Sequence, residues 1–285
     1  MWNRLIPSRP LLGVLALSGA FASSVGCVDN TLSLYIRQIQ SPTVAGTTCT
    51  YPIDPTAPSI TEGTLDVALR TSYSIAPLLA NQLASTANME QRRVETSVLN
   101  IQGFVVELHE GSPEGAIIGQ PFSVYQNVTV PAALSAAVPG YAFTRIQVIP
   151  PQVGEVLKAA VCRFDNTGVT TDCPVPRVTS VNRRILVKLT AFGESLGQRA
   201  IESAPYYFPL TVCCGCLITF PIDSDAPEAM GRGAGPDCNA GSPGASQATC
   251  GVGQDFPVDC RLCSGSANPL CQPRGYSPTG MTCPR

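Results

Sequence analysis

The run Tyr206 to Pro221, YYFPLTVCCGCLITFP, restricts the fold of this chain more than any other stretch. It carries three of the 13 cysteines and sits where the composition changes. Alternating segments precede it; a tail rich in cysteine, proline and glycine follows. At period two, Phe208, Leu210, Val212, Cys214, Cys216, Ile218 and Phe220 share one face. Tyr207, Thr211, Cys213, Gly215 and Thr219 share the other. Such faces predict a strand of a two-layer sheet, with Gly215 marking a bulge that would exchange the faces beyond it. CCGC then has two readings: a thiolate metal or redox centre, or disulfide anchorage of the tail. The redox compartment separates them.

The N-terminus bears on the compartment. Arg4 and Arg9 precede a short apolar stretch beginning at Leu11 and running to Ala22. It is too short to span a bilayer and predicts a signal peptide over 1–26. Ala20-Phe21-Ala22 offers one cleavage site, before Ser23. Ser24-Val25-Gly26-Cys27 offers another. These four residues resemble the lipobox of bacterial lipoproteins, with serine where leucine is usual at position 24. The resemblance implies lipid attachment at Cys27. It also implies an outer-membrane anchor, because Val28 stands where a retention aspartate would be. Removing Cys27 leaves 12 cysteines, an even number that can pair completely.

The remaining 27–285 is about 260 residues long, enough for one large domain and an appendage. Formal charge is -2, and -4 without Arg4 and Arg9, so nucleic acid is not an expected partner. Alternation recurs at Thr31–Gln40, Thr64–Arg70, Val98–Glu110, Ala142–Ile149 and Arg184–Phe192, with turn residues between most segments. Leu65, Val67 and Leu69 read as inward, Asp66 as outward. Val153, Val156, Leu157 and Ala160 give Gln152–Val161 the spacing of a short helix. The pattern predicts an all-β fold: an antiparallel immunoglobulin-like β-sandwich over 27–221. Residues 222–285 form a cysteine-rich, disulfide-stapled C-terminal extension with too few large aliphatics for a core of its own.

Ten residues separate Cys162 from Cys173 around a turn at Asn166-Thr167-Gly168, which makes a hairpin disulfide the economical pairing. Cys49, Cys213, Cys214, Cys216, Cys238, Cys250, Cys260, Cys263, Cys271 and Cys283 are expected in disulfides of unspecified pairing. Cys49 is expected to meet one CCGC cysteine. Adjacent Cys213 and Cys214 are expected to have different partners.

Catalytic patterns are sparse. His109 is the sole histidine, reads as outward-facing, and has no GxSxG partner. Cys260-Arg261-Leu262-Cys263 has redox spacing but lacks a strand-to-helix setting. Asp223-Ser224-Asp225 and Asp165-Asn166…Asp172 do not match a calcium loop, and Asn127-Val128-Thr129 is a glycosylation sequon. The expectation is a non-enzymatic cell-envelope lipoprotein without cofactor or metal. It would be anchored to a membrane by its lipid and would have a structural role or bind an envelope protein, peptide or glycan. The alternatives are secretion after Ala22, and an exported metal-binding or thiol-redox factor using Cys213, Cys214, Cys216, Cys260 and Cys263.

Overall fold

The computed structural model describes residues 33–45, 48–85, 94–135, 137–167, 169–171, 177–220, 250–263 and 269–271. The signal peptide, Cys27, Cys173, Cys238, Cys283 and the Asp223–Asp225 loop lie outside them. The first strands are β1 (Leu34–Ile39), β2 (Thr43–Ala45), β3 (Thr48–Thr50), β4 (Gly63–Asp66), β5 (Tyr73–Ile75) and β6 (Pro77–Asn81). Then come β7 (Leu99–Glu110), β8 (Phe122–Val130), β9 (Gly140–Phe143), β10 (Ile146–Ile149), helix α1 (Pro151–Val161), β11 (Cys162–Asp165) and β12 (Arg177–Ser180). The C-terminal part holds β13 (Arg183–Ser195), β14 (Ala200–Glu202), β15 (Tyr206–Cys213), β16 (Ile218–Thr219), β17 (Val258–Asp259), helix α2 (Cys260–Cys263) and a 3-10 turn, Pro269–Cys271.

The alternating segments form these strands because one side of each has a core to enter. In the largest sheet the order is β4-β15-β13-β7-β8, with β14 also on β13. Its inward residues include Leu65, Phe104, Val106, Ile185, Val187, Phe208 and Leu210. They share one core with Leu34 and Ile36 of β1, Leu79 of β6, Ile75 of β5, and Ile146 and Val148 of β10. Those strands belong to a β1-β6-β9 sheet and a β10-β5 pair. Burying each large side chain contributes about 1.5–3 kcal/mol.

The chain is mostly β, as its alternation predicts, but the pairing is mixed. β13 is antiparallel to both β7 and β15, whereas β15 runs parallel to β4. An all-antiparallel arrangement is therefore corrected. No hairpin joins β4 to β15, so no turn fixes their relative direction. Register in β7 shifts between Ile101 and Gly103, where the glycine interrupts the alternation.

Helix α1 starts at Pro151, where a missing N–H costs nothing. Its buried residues are Gly154, Leu157 and Val161; Val156 is 66% exposed. The helix forms where the spacing places it, but its inward stripe is rotated from the expected one. Gly154 is the cause, since its bare Cα lets the helix lie against the Thr71 carbonyl.

The C-terminal segment packs back on the sheets. β17 pairs in parallel with β16, and Val258 donates its N–H to the Leu217 carbonyl at 2.7 Å. Ile218, Cys260, Cys263 and Cys271 form a second small core, with Leu69, Phe220 and Leu270 against it. Sulfur thus supplies much of the buried apolar volume that few aliphatics provide.

Candidate functional site

Cys213 ends β15, fully buried. The two-residue period holds through Phe208, Leu210 and Val212 and then stops. Gly215 has φ of 75°, the left-handed region open to glycine, and it turns the chain. Beyond the turn the faces change. Leu217 is buried, and Cys216, expected on the core face, is exposed.

Nine cysteines are described, and all nine are disulfide-bonded. Cys213 pairs with Cys216, Cys214 with Cys162, Cys49 with Cys250, and Cys263 with Cys271. Cys260 is bonded as well. The adjacent Cys213 and Cys214 do take different partners. The Cys162–Cys173 hairpin disulfide is corrected. Antiparallel register places Cys162 opposite Ser180, and Cys162 is buried at the end of α1, which packs against β15. The nearest sulfur in space is therefore that of Cys214, 52 residues on. The expected Cys49–CCGC link is also corrected. The β2–β3 hairpin, which carries Cys49, lies beside the docked segment containing Cys250; Pro42 and Tyr51 share a pocket with Gln254 and Asp255.

Two aspartates, one buried and one half-buried, fix this architecture. Asp66 is 0% exposed, not outward as its strand position suggests. Its Oδ1 accepts the N–H groups of Gly215 at 2.7 Å and Ala68 at 3.0 Å. Its Oδ2 accepts that of Leu217 at 2.9 Å. Burial pushes this carboxyl above its ordinary pKa, while the three N–H groups act in the opposite sense. Asp66 thus clamps both sides of the turn that presents Cys216. Asp66, Cys213 and Cys216 bring one ligand-type atom each within 4.8 Å of one another. With the two sulfurs bonded to each other, that cluster offers a metal only a carboxylate already holding three N–H groups.

The second is Asp255, brought from the tail. Its Oδ1 accepts the Tyr73 hydroxyl at 2.6 Å and the Thr64 N–H at 2.9 Å. Gln254 beside it binds Ser74 through both ends of its amide, at 3.1 Å and 2.6 Å. Backbone bonds run from Asp66 N–H to the Gly253 carbonyl and from Asp255 N–H to the Thr64 carbonyl, 2.9 Å each. Burial raises Asp255, and burial together with Asp255 pushes Tyr73 well above the ordinary phenol value. A small adjoining recess, about 10 Å³, is lined by Gln40, Tyr51, Tyr73, Ser74, Gln254 and Asp255 among others. It has room for about one water and not for a drug-sized ligand.

His109 is 7% exposed, so its outward reading is corrected. The turn after β7 folds over it: Ile117 bridges to it, and its Nδ1 lies 3.3 Å from the Gly115 carbonyl. Its Nε2 is 3.4 Å from Glu107, whose other oxygen takes Lys188 Nζ at 2.9 Å. No nucleophilic side chain is among these contacts. Cys260 and Cys263 sit in α2, with Cys263 bonded onward to Cys271 and not to Cys260. Asn127 is exposed in β8.

Sequence reasoning missed Asp66, Tyr73, Gln254 and Asp255. One signal was present for Asp66. It stands in Leu65-Asp66-Val67-Ala68-Leu69 with apolar neighbours on both sides, a composition unusual for a solvated strand face. No protein-family model matches this sequence, and no curated protein matches it. Among the described residues, no helix is long and apolar enough to cross a membrane.

Proposed function

We propose that this protein is a non-catalytic, lipid-anchored component of the bacterial cell envelope, held at the outer membrane through Cys27. Its β-rich body is a disulfide-braced scaffold that binds another envelope protein, peptide or glycan, and its two layers are read as an immunoglobulin-like sandwich. The observation that carries this is the oxidation of all nine described cysteines. Disulfides on this scale persist in exported proteins and not in a reducing cytosol. They also occupy the sulfurs that a thiolate metal centre would need. The leader, the Gly26-Cys27 pair and the even number of cysteines after Cys27 supply the anchor. The single histidine lies under a turn, which supports a binding role over acid–base chemistry.

The test is a free-thiol count on the purified mature protein, unfolded without reductant, alongside palmitate labelling in cells. Fewer than one thiol per chain and lipid incorporation abolished by Cys27→Ser are expected. Thiols mapped to described cysteines other than Cys213 and Cys216 overturn the disulfide-braced reading; label retained by Cys27→Ser overturns the anchor.

A further inference from the structure

The disulfides are not equivalent. Cys162–Cys214 and Cys263–Cys271 join buried residues, and Cys49–Cys250 joins half-buried ones. Cys213–Cys216 joins a fully buried residue to an exposed one, over a C-x-x-C spacing. The exposed residue follows Gly215 in the turn, on the solvent side of the bond, and an exchanging thiolate attacks a disulfide at its accessible sulfur. Behind the bond stands Asp66, with a carboxylate oxygen within 4.8 Å of both sulfurs. The Leu65 carbonyl lies 3.7 Å from Cys213 Sγ. A bonded sulfur has no proton to give that carbonyl; a thiol at the same place has one.

We propose that Cys213–Cys216 is a redox-exchangeable disulfide that oxidises an exposed dithiol of another exported polypeptide. A thiolate of that dithiol attacks Cys216 Sγ, forming a mixed disulfide and breaking the Cys213–Cys216 bond. Cys213 leaves as a thiolate and takes a proton from solvent, after which its S–H donates to the Leu65 carbonyl. The partner's second thiol loses its proton to solvent and attacks its own bonded sulfur, releasing Cys216 as a thiolate. The partner dithiol has lost two electrons to become a disulfide, and Cys213 and Cys216 have gained them. Buried Cys213, confined beside Asp66, is the leaving sulfur, and exposed Cys216 is the one that touches the partner. Asp66 is a positioning residue, because the three N–H groups it accepts hold the turn that carries Cys216. The other disulfides keep the scaffold folded while this one opens. This role adds to the envelope scaffold and does not depend on the lipid anchor.

The test uses the mature protein and dithiothreitol as the probe dithiol. Folded protein is titrated with dithiothreitol, alkylated and mapped by mass spectrometry. Cys213 and Cys216 are expected to be labelled at concentrations at least tenfold below those that open Cys49–Cys250, with the circular dichroism unchanged. Opening together with Cys49–Cys250, or only on unfolding, overturns the proposal. Single variants then assign the two sulfurs. Cys213→Ser frees Cys216, which should react with an aromatic disulfide reagent at least 100-fold faster than Cys213 does in Cys216→Ser. Equal rates overturn the assignment. Asp66→Asn, which leaves an N–H of the turn without its acceptor, should change the opening rate about tenfold while leaving the labelling of free Cys216 in the Cys213→Ser background unchanged; an unchanged opening rate removes Asp66 from the mechanism. If either cysteine variant does not fold, the wild-type titration alone decides.

Discussion

Removing the Asp255 carboxylate should loosen the docked C-terminal segment without unfolding the chain. In Asp255→Gly the substituted residue keeps the φ of 63°, which glycine adopts freely, so backbone strain does not contribute. Two donors lose their acceptor: the Tyr73 hydroxyl, on a side chain 0% exposed, and the Thr64 N–H. Gln254 retains the Ser74 carbonyl and contributes no orphan. Leaving a buried donor unsatisfied costs about 1–3 kcal/mol, so the pair costs about 2–6 kcal/mol. At roughly 2–4 °C per kcal/mol for a domain of this size, Tm should fall by about 4–24 °C. The Cys49–Cys250 disulfide keeps the segment nearby, so the transition should stay cooperative. Asp255→Asn is the control, retaining one acceptor oxygen and a tolerance for positive φ; it should lose about 1 kcal/mol or less. Circular-dichroism melting and urea unfolding of Asp255→Gly, Tyr73→Phe and the double variant supply the cycle. Because Tyr73 and Asp255 touch, a coupling of about 0.5–3 kcal/mol is expected. A Tm within 1 °C of wild type, or strict additivity, would refute the clamp.

Burial raises Asp255 above 3.8, so the folded chain binds this proton more tightly than the unfolded chain. Its contribution is fully present below 3.8 and is lost as pH rises through the folded value. Wild type should therefore gain stability relative to Asp255→Asn as pH falls from 7 toward 3.8 in urea titrations; the opposite slope would show that the carboxylate is not desolvated. Asp259 behaves in reverse, because Arg261 Nη2 at 2.6 Å lowers it. Its contribution is present above 3.8 and lost on acidification below it, so Asp259→Asn should flatten the acid limb of the melting curve. Gly154→Ala tests the seat of α1. An exposed helical glycine would gain about 1 kcal/mol on this change. Here the new Cβ would lie 1.7 Å from the Thr71 carbonyl oxygen, so a loss of about 1–3 kcal/mol is expected by urea unfolding. Replacing Cys49 and Cys250 together by serine opens a cross-link spanning 201 residues. It should cost about 3–5 kcal/mol and make the 250–263 segment the first to be cut in limited proteolysis.

Most of the strands were legible because a period of two reports which side of a strand can enter a core. Val187, Leu189, Phe208, Leu210 and Val212 alternate in sequence and are buried in the fold. The same period is silent about the opposite side. Asp66 and His109 read as outward, yet one is capped by the 215–217 turn and the other by the 111–117 turn. The Tyr73–Asp255 contact was illegible for a stronger reason: it joins residues 182 positions apart, and neither carries a local pattern that names the other.

By itself the sequence determined a β-rich chain, a helix near 151–161, distinct partners for Cys213 and Cys214, and a tail dependent on sulfur. These follow from local periodicity, from covalent geometry and from the scarcity of large aliphatics after 221. Only the tertiary structure decided which cysteines meet, that β15 lies parallel to β4, and that Asp66 stands behind a C-x-x-C disulfide with one exposed cysteine. Pairing depends on distance in space once the sheets have packed. A spacing of ten residues in the chain says little when Cys214, 52 residues away, already lies against Cys162 in the core.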